Sequence, residues 1–319
     1  MISKNTWQFC QKEGAKALRK LGVIGIGNVG VTVAYTLVSQ GIVDELVMID
    51  TNDKKVLAEK LDFEDAMPRL PYHTKIKIQD YAALSDADVV ITAFGDIEAS
   101  IKTGNRFAEF KINSKNAVEV GTKLKEVGFK GVLINISNPC DAITTILQRE
   151  TGLPKERVFG TGTFLDTARM QHVVGDYLNQ DSRNVDGFVL GEHGNSQFTA
   201  WSTVRVNNKP LAEVISLDEI ASLDGKPSEG AWIVASGKGY TSYAIATCGV
   251  RLAQAVMSDA KLFAPASVYV EEFGTYLGYP AIIGANGVEK VVPLELTAEE
   301  VEKLNESVAY IKEHVEQLG

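Results

Sequence analysis

One stretch near the N-terminus restricts the fold more than any other: Leu21-Gly22-Val23-Ile24-Gly25-Ile26-Gly27-Asn28-Val29-Gly30, an apolar run that breaks into GxGxxG. Leu21–Ile26 reads as a buried strand, and Val29–Gln40 as a helix ended by Gly41. A glycine loop between strand and helix turns the free amides of the first helical turn toward the strand end, where an anion can bind. On this reading Gly25 permits the tight turn. Gly27 lets a pyrophosphate approach the backbone, beside Asn28 and Val29, and Gly30 lets the helix pack close to the sheet. The next strand, Glu45–Asp50, ends in an acid twenty residues beyond Gly30. A carboxylate there accepts hydrogen bonds from an adenosine ribose and repels a 2′-phosphate, so the expected cofactor is NAD rather than NADP.

The rest of the first half continues the alternation. Asp53–Met67 has a helical pattern stopped by Pro68, Ala87–Phe94 is strand-like, Phe107–Val127 is a long helical pattern, and Val132–Ile136 is a further strand. Such alternation predicts βαβ units and a parallel sheet covered on both faces. The second half differs. Asp166–Leu178 and Gly239–Met257 read as helices. Phe188–Leu190, Trp201–Val206, Ser267–Glu271 and Ala281–Gly284 read as strands between turn residues. Thr297 and Glu300 fit a capping box opening a helix to about Gln317. The expected architecture is therefore α/β: a Rossmann-type doubly wound parallel sheet at 20–160, then an α+β catalytic, substrate-binding domain at 161–319. Residues 1–19 carry no clear pattern and are read either as a mobile extension or as an arm packing on a neighbouring subunit.

Composition excludes several classes. The net charge of −9 over 319 residues argues against nucleic acid and anionic membranes as partners. Cys10, Cys140 and Cys248 are too far apart for a zinc site or a disulfide framework and suit a reduced cytoplasm. No metal is expected. The most apolar stretch, 21–38, is cut by Gly22, Gly25, Gly27, Asn28 and Gly30 and does not read as a membrane span.

Three short motifs add chemistry. Ile136-Ser137-Asn138-Pro139 follows a strand, at the sheet edge where ligands of open α/β sheets bind. Leu165-Asp166-Thr167-Ala168-Arg169 opens a helix, with Asp166 and Arg169 sharing a face. Leu190-Gly191-Glu192-His193-Gly194-Asn195-Ser196-Gln197-Phe198 places one of only four histidines just past an apolar run. Each alone has a bland explanation: a turn, a surface ion pair, a loop imidazole.

Together, in this order and spacing, these motifs resemble the L-lactate/L-malate dehydrogenase family. The resemblance covers nearly all of residues 20–317 and includes Gly104-Asn105-Arg106 and Gly239-Tyr240-Thr241-Ser242. It is closest to the L-2-hydroxyisocaproate dehydrogenases of lactic-acid bacteria, through GNSQFTAWSTVRV, GKGYTSYAIAT and the RFAE after Asn105. The resemblance implies a cytoplasmic homo-oligomer, dimer or tetramer, that reduces 2-oxo acids with NADH. It implies His193 as proton donor and Asp166 as the group that orients it. Arg169 would bind the substrate carboxylate and Arg106 would polarise the carbonyl. Asn138 would hydrogen-bond the carbonyl oxygen or His193 itself, beside the cofactor, and Thr241 would line the substrate pocket. His73, His172 and His314 fit the proton donor's place less well. A different-class alternative is a non-catalytic NAD-binding sensor on the same fold.

The loop from Gly95 to Arg106, GDIEASIKTGNR, bears on the substrate. Malate dehydrogenases of the family place an arginine here for a second carboxylate; this loop has Asp96 and Glu98 and no arginine before Arg106. Monocarboxylic 2-oxo acids resembling 2-oxoisocaproate are therefore expected, with pyruvate, and hence L-lactate dehydrogenase, as the alternative. Relatives activated by fructose 1,6-bisphosphate carry an arginine and a histidine where this chain has Gln171 and Asp186, so no such activation is expected.

Overall fold

The computed structural model describes residues 18–95 and 109–316. In the first half the chain runs β1 (Lys20–Ile24), α1 (Asn28–Ser39), β2 (Glu45–Ile49), α2 (Asp53–Ala66), β3 (Lys75–Ile78), β4 (Val89–Thr92), α3 (Phe110–Glu126), β5 (Val132–Asn135), α4 (Cys140–Thr151) and β6 (Val158–Gly160). These strands pair in parallel in the order β3-β2-β1-β4-β5-β6, with Leu21 opposite both Leu46 and Val89. Alternate strand residues feed two separate cores, as a period of two requires. Leu21, Val23, Leu46, Met48, Val89 and Ile91 pack on one face, and Ile24, Val47, Ile49, Val90 and Leu133 on the other. The strand order reverses at β1, which opens a crevice between the C-terminal ends of β1 and β4.

The second half contains α5 (Phe164–Tyr177), β7 (Val185–Leu190), β8 (Phe198–Val206), β9 (Lys209–Pro210), α6 (Leu217–Leu223), α7 (Lys226–Lys238), α8 (Tyr243–Met257), β10 (Leu262–Val270), β11 (Thr275–Gly284), β12 (Gly287–Val291) and α9 (Ala298–Glu316). β10 pairs antiparallel with β6 through Ser267 and Gly160, so β10, β11 and β12 extend the parallel sheet to nine strands. β7, β8 and β9 form a separate antiparallel sheet. The capping box at α9 forms both ways: Thr297 N donates to Glu300 Oε2 at 2.9 Å, and Glu300 N to Thr297 Oγ1 at 3.3 Å. Among the described residues no helix is long and apolar enough to cross a membrane.

Several elements lack a sequence signal. β3 and β6 are only four and three residues long. α4 starts immediately after Asn138-Pro139, which by itself reads as a turn. α7 carries Ala231 to Ala235 as one unbroken apolar block, with Pro227 and Gly230 before it, so no helical period stands out. β11 is longer than the expected Ala281–Gly284 because Gly278 and Pro280 interrupt its apolar pattern. The helix expected from Gly239 begins at Tyr243, since Gly239 closes α7.

Candidate active site

The glycine loop has the close geometry that its spacing predicts. Gly25 has φ +94°, and a methyl there would lie 2.5 Å from the backbone nitrogen of Phe94. A methyl on Gly30 would lie 1.8 Å from the carbonyl oxygen of Gly25. At Gly27, by contrast, it would meet nothing within 4 Å among the described residues. Gly27 caps α1 with no side-chain hydrogen bond, so the first-turn amides stay available to an external acceptor. Asp50 sits across from this loop. Its carboxylate accepts from Ile26 N at 2.6 Å and Asn52 N at 2.9 Å. A carboxylate has about four acceptor positions, so capacity remains for two ribose hydroxyls. A cavity of about 550 Å³ is lined by Gly25, Gly27, Asp50, Gln79 and Tyr81. Open backbone at Gly27 and an acid fixed at Asp50 fit a dinucleotide at this strand edge.

A second cavity, of about 420 Å³, shares Gly27, Lys55, Ala93, Phe94 and Gly95 with the first and continues to Asn138, Arg169, His193 and Thr241. Asn28 and Val29 line it as well. The sequence motifs from both halves of the chain thus meet in one trough. Asn138 Oδ1 and Ser137 Oγ are buried there without a hydrogen-bond partner among the described residues. Orphaned polar atoms of this kind are costly unless a ligand meets them.

His193 stands at the centre of this arrangement. α5 begins at Phe164, which puts Asp166 in the first turn, where the helix dipole favours an acid. Asp166 is fully buried. Its Oδ2 lies 2.6 Å from His193 Nδ1 and its Oδ1 accepts from Arg169 Nη1 at 2.8 Å. A carboxylate only accepts, so Nδ1 carries the proton and Nε2 is the nitrogen left for the cavity. Thr167 Oγ1 accepts from Val189 N at 3.0 Å and so ties α5 to β7, the strand that delivers His193. The backbone around His193 is held from two other directions. Ser307 Oγ, on α9, accepts from Glu192 N at 2.8 Å, and Asp141 Oδ2, on α4, accepts from His193 N at 2.9 Å.

The remaining histidines sit elsewhere: His73 and His172 are exposed, and His314 lies on α9 with Nδ1 2.7 Å from Tyr310 O. Arg106, and the loop from Asp96 onward in which it stands, lie outside the described residues. Sequence reasoning missed part of the lining. Glu109, 4% exposed, is a wall residue of the cavity, and Ala231, Trp232, Ala235 and Ile245 form its apolar side. Only the RFAE stretch hinted at Glu109, and nothing in α7 marked Trp232 or Ala235.

Comparison with known proteins finds two family models that match the chain. Residues 19–160 match the family described as lactate/malate dehydrogenase, NAD binding domain, and residues 163–318 its alpha/beta C-terminal domain. L-lactate dehydrogenase 1 of Bifidobacterium longum is 37% identical over 311 residues, covering 94% of this chain and 98% of that relative. L-lactate dehydrogenase of Lactococcus lactis subsp. cremoris is 31% identical over 311 residues, with the same coverage. Among solved structures, the ligand-bound minor L-lactate dehydrogenase of Enterococcus mundtii superposes with a TM-score of 0.89 at 32% identity, covering 95% of this chain and 99% of that one. The fold is that of an NAD-binding oxidoreductase. The chain belongs to the lactate/malate dehydrogenase family.

Proposed function

We propose that the protein is an NAD-dependent L-2-hydroxy acid dehydrogenase that reduces monocarboxylic 2-oxo acids with apolar side chains, 2-oxoisocaproate above all and pyruvate less well. The observation that carries the reaction is the contact of His193, Asp166 and Arg169 beside a cavity continuous with the glycine loop. Residues 20–160 serve the cofactor in this reading and 161–319 the substrate.

Bound NADH supplies the hydride. Gly25, Gly27, Asn28, Val29 and Gly30 form the pyrophosphate cradle, and Asp50 takes the ribose hydroxyls. Arg169 has one nitrogen on Asp166 and presents the rest of its guanidinium fork to the substrate carboxylate. His193 holds a proton on Nε2 and passes it to the substrate's carbonyl oxygen. Asp166 fixes the ring through Nδ1 and balances the imidazolium charge. Asn138 meets the same oxygen with its amide, and Thr241 closes the pocket wall. Arg106 contributes a further positive charge toward that oxygen.

The side-chain preference rests on the cavity wall. Ala231, Trp232, Ala235 and Ile245 make it apolar, which favours an apolar side chain over a second carboxylate. A second reading, L-lactate dehydrogenase using mainly pyruvate, is favoured by the names of relatives 31–37% identical. The test is kcat/KM for pyruvate, 2-oxoisocaproate, phenylpyruvate and oxaloacetate with NADH. We expect 2-oxoisocaproate to lead; pyruvate in first place selects the second reading, and oxaloacetate in first place defeats both. NADH binding without oxidation by any of the four selects a sensor. The same reading carries a cytoplasmic dimer or tetramer, which light scattering on the purified protein checks.

A further inference from the structure

Asp141 is a buried acid that the chemistry above does not use. It lies in the first turn of α4, three residues past Asn138, and is 2% exposed. Its Oδ2 accepts from His193 N at 2.9 Å, and its Oδ1 accepts from Ser267 Oγ at 2.5 Å. Ser267 is fully buried on β10 at the residue that pairs with Gly160 of β6, so this partner belongs to the sheet itself. Among the described residues Asp141 takes part in no salt bridge. One carboxylate therefore joins the Asn138 turn, the His193 loop and the nine-stranded sheet through hydrogen bonds alone.

We propose that Asp141, held by Ser267, is a positioning residue that fixes the backbone of His193 relative to Asn138, so that imidazole and amide reach one substrate oxygen. This rests on the reading of His193 as proton donor. The ring of His193 is held by Asp166, and the main chain just before it is held at Glu192 N by Ser307. Asp141 supplies the anchor at the amide of His193 itself. Displacement of a reacting group by about 1 Å costs on the order of 100-fold in rate.

The test compares Asp141→Ala, Asp141→Asn and Ser267→Ala, with 2-oxoisocaproate and with pyruvate. Asn keeps both contacts: its Oδ1 accepts from His193 N and its Nδ2 donates to Ser267 Oγ. We expect Asp141→Ala to lose ~10- to 100-fold in kcat with the Kd for NADH unchanged, and Asp141→Asn to stay within about threefold of wild type. Wild-type kcat in Asp141→Ala, whatever its melting temperature, overturns the proposal. So does an equal loss in Asp141→Ala and Asp141→Asn, which would make charge rather than anchoring the cause. If Asp141→Ala does not fold, Ser267→Ala decides: a kcat loss of about threefold or more supports the anchor, and an unchanged kcat overturns it. His193→Asn, run alongside, separates the two readings: normal turnover in that variant removes the proton donor itself, independently of Asp141.

Discussion

Asp166 divides its carboxylate between two partners, with Oδ2 2.6 Å from His193 Nδ1 and Oδ1 2.8 Å from Arg169 Nη1. It thereby sets the tautomer of the imidazole and aims the guanidinium at once. An asparagine at 166 can turn its amide NH2 toward Nδ1, which then accepts a hydrogen bond and cannot hold a proton, so the imidazolium that donates from Nε2 no longer forms. We expect Asp166→Asn to lose ~10²- to 10⁴-fold in kcat, and His193→Asn at least ~100-fold, both with NADH affinity retained. Steady-state rates together with NADH fluorescence titration measure the two quantities. Near-normal kcat in Asp166→Asn would remove its assigned role.

Arg169 has 18% of its side chain exposed, and one of its nitrogens is already committed to Asp166. What remains of the planar fork suits a carboxylate held by two parallel bonds. Lysine keeps the charge and loses that geometry. Arg169→Lys is expected to lower kcat/KM for 2-oxo acids by ~10²- to 10³-fold, chiefly through KM. A KM within twofold of wild type contradicts bidentate binding.

Asp50 is fixed by Ile26 N and Asn52 N, so its remaining lone pairs stay directed where a ribose would lie. A 2′-phosphate there would meet an acid that cannot swing away without breaking both bonds. Wild type is expected to favour NADH over NADPH by ~100-fold or more in kcat/KM, and Asp50→Ala to narrow that ratio at least ~10-fold. Equal turnover of the two cofactors by wild type sinks the assignment.

Gln171 Nε2 donates to Val185 O at 2.7 Å and Asp186 is exposed beside it. A neutral amide already occupied and an acid make a poor cradle for a sugar bisphosphate. Adding fructose 1,6-bisphosphate should leave kcat and KM unchanged, and a clear rate increase would show that another cation takes the place of the missing pair.

The residues legible in the sequence share a physical property: their contacts are fixed by short covalent spacing or by motifs. GxGxxG closes on itself within six residues, and Asp50 reaches Ile26 because β1 and β2 are adjacent parallel strands. His193 and Asp166 are linked in the sequence only through the family resemblance of their motifs, since 27 residues separate them. Asp141 left no such trace. It reaches Ser267 across 126 residues, and its neighbour pattern SNPCD reads simply as a turn followed by a helix cap. Trp232 and Ala235 were illegible for a different reason. Their helix, α7, has apolar residues in a block rather than on a stripe, so periodicity gave neither the helix nor its inward face.

Burial also makes Asp141 a probe of stability against pH. Loss of solvation pushes its carboxyl up to about 7, and the nearby Glu192 charge adds to that, while the hydrogen bonds from Ser267 and the His193 backbone act the other way. In the unfolded chain the same group titrates near the ordinary aspartate value of about 3.9. Between those two values the folded state holds a proton that the unfolded state has released. Unfolding free energy therefore falls as pH rises through this window, by up to ~1.4 kcal/mol per pH unit, and the loss is complete above about 7. Asp141→Asn has nothing to titrate and keeps the two hydrogen bonds. Its urea midpoint, measured relative to wild type, should therefore rise between pH 5 and pH 8, with most of the change below pH 7. Taking the difference between the two proteins cancels every group that does not interact with Asp141, and leaves its coupling to Glu192 inside the measured change. A difference that stays constant from pH 5 to pH 8 would mean that Asp141 is already ionised at the lower pH, and that its two donors outweigh the cost of its burial.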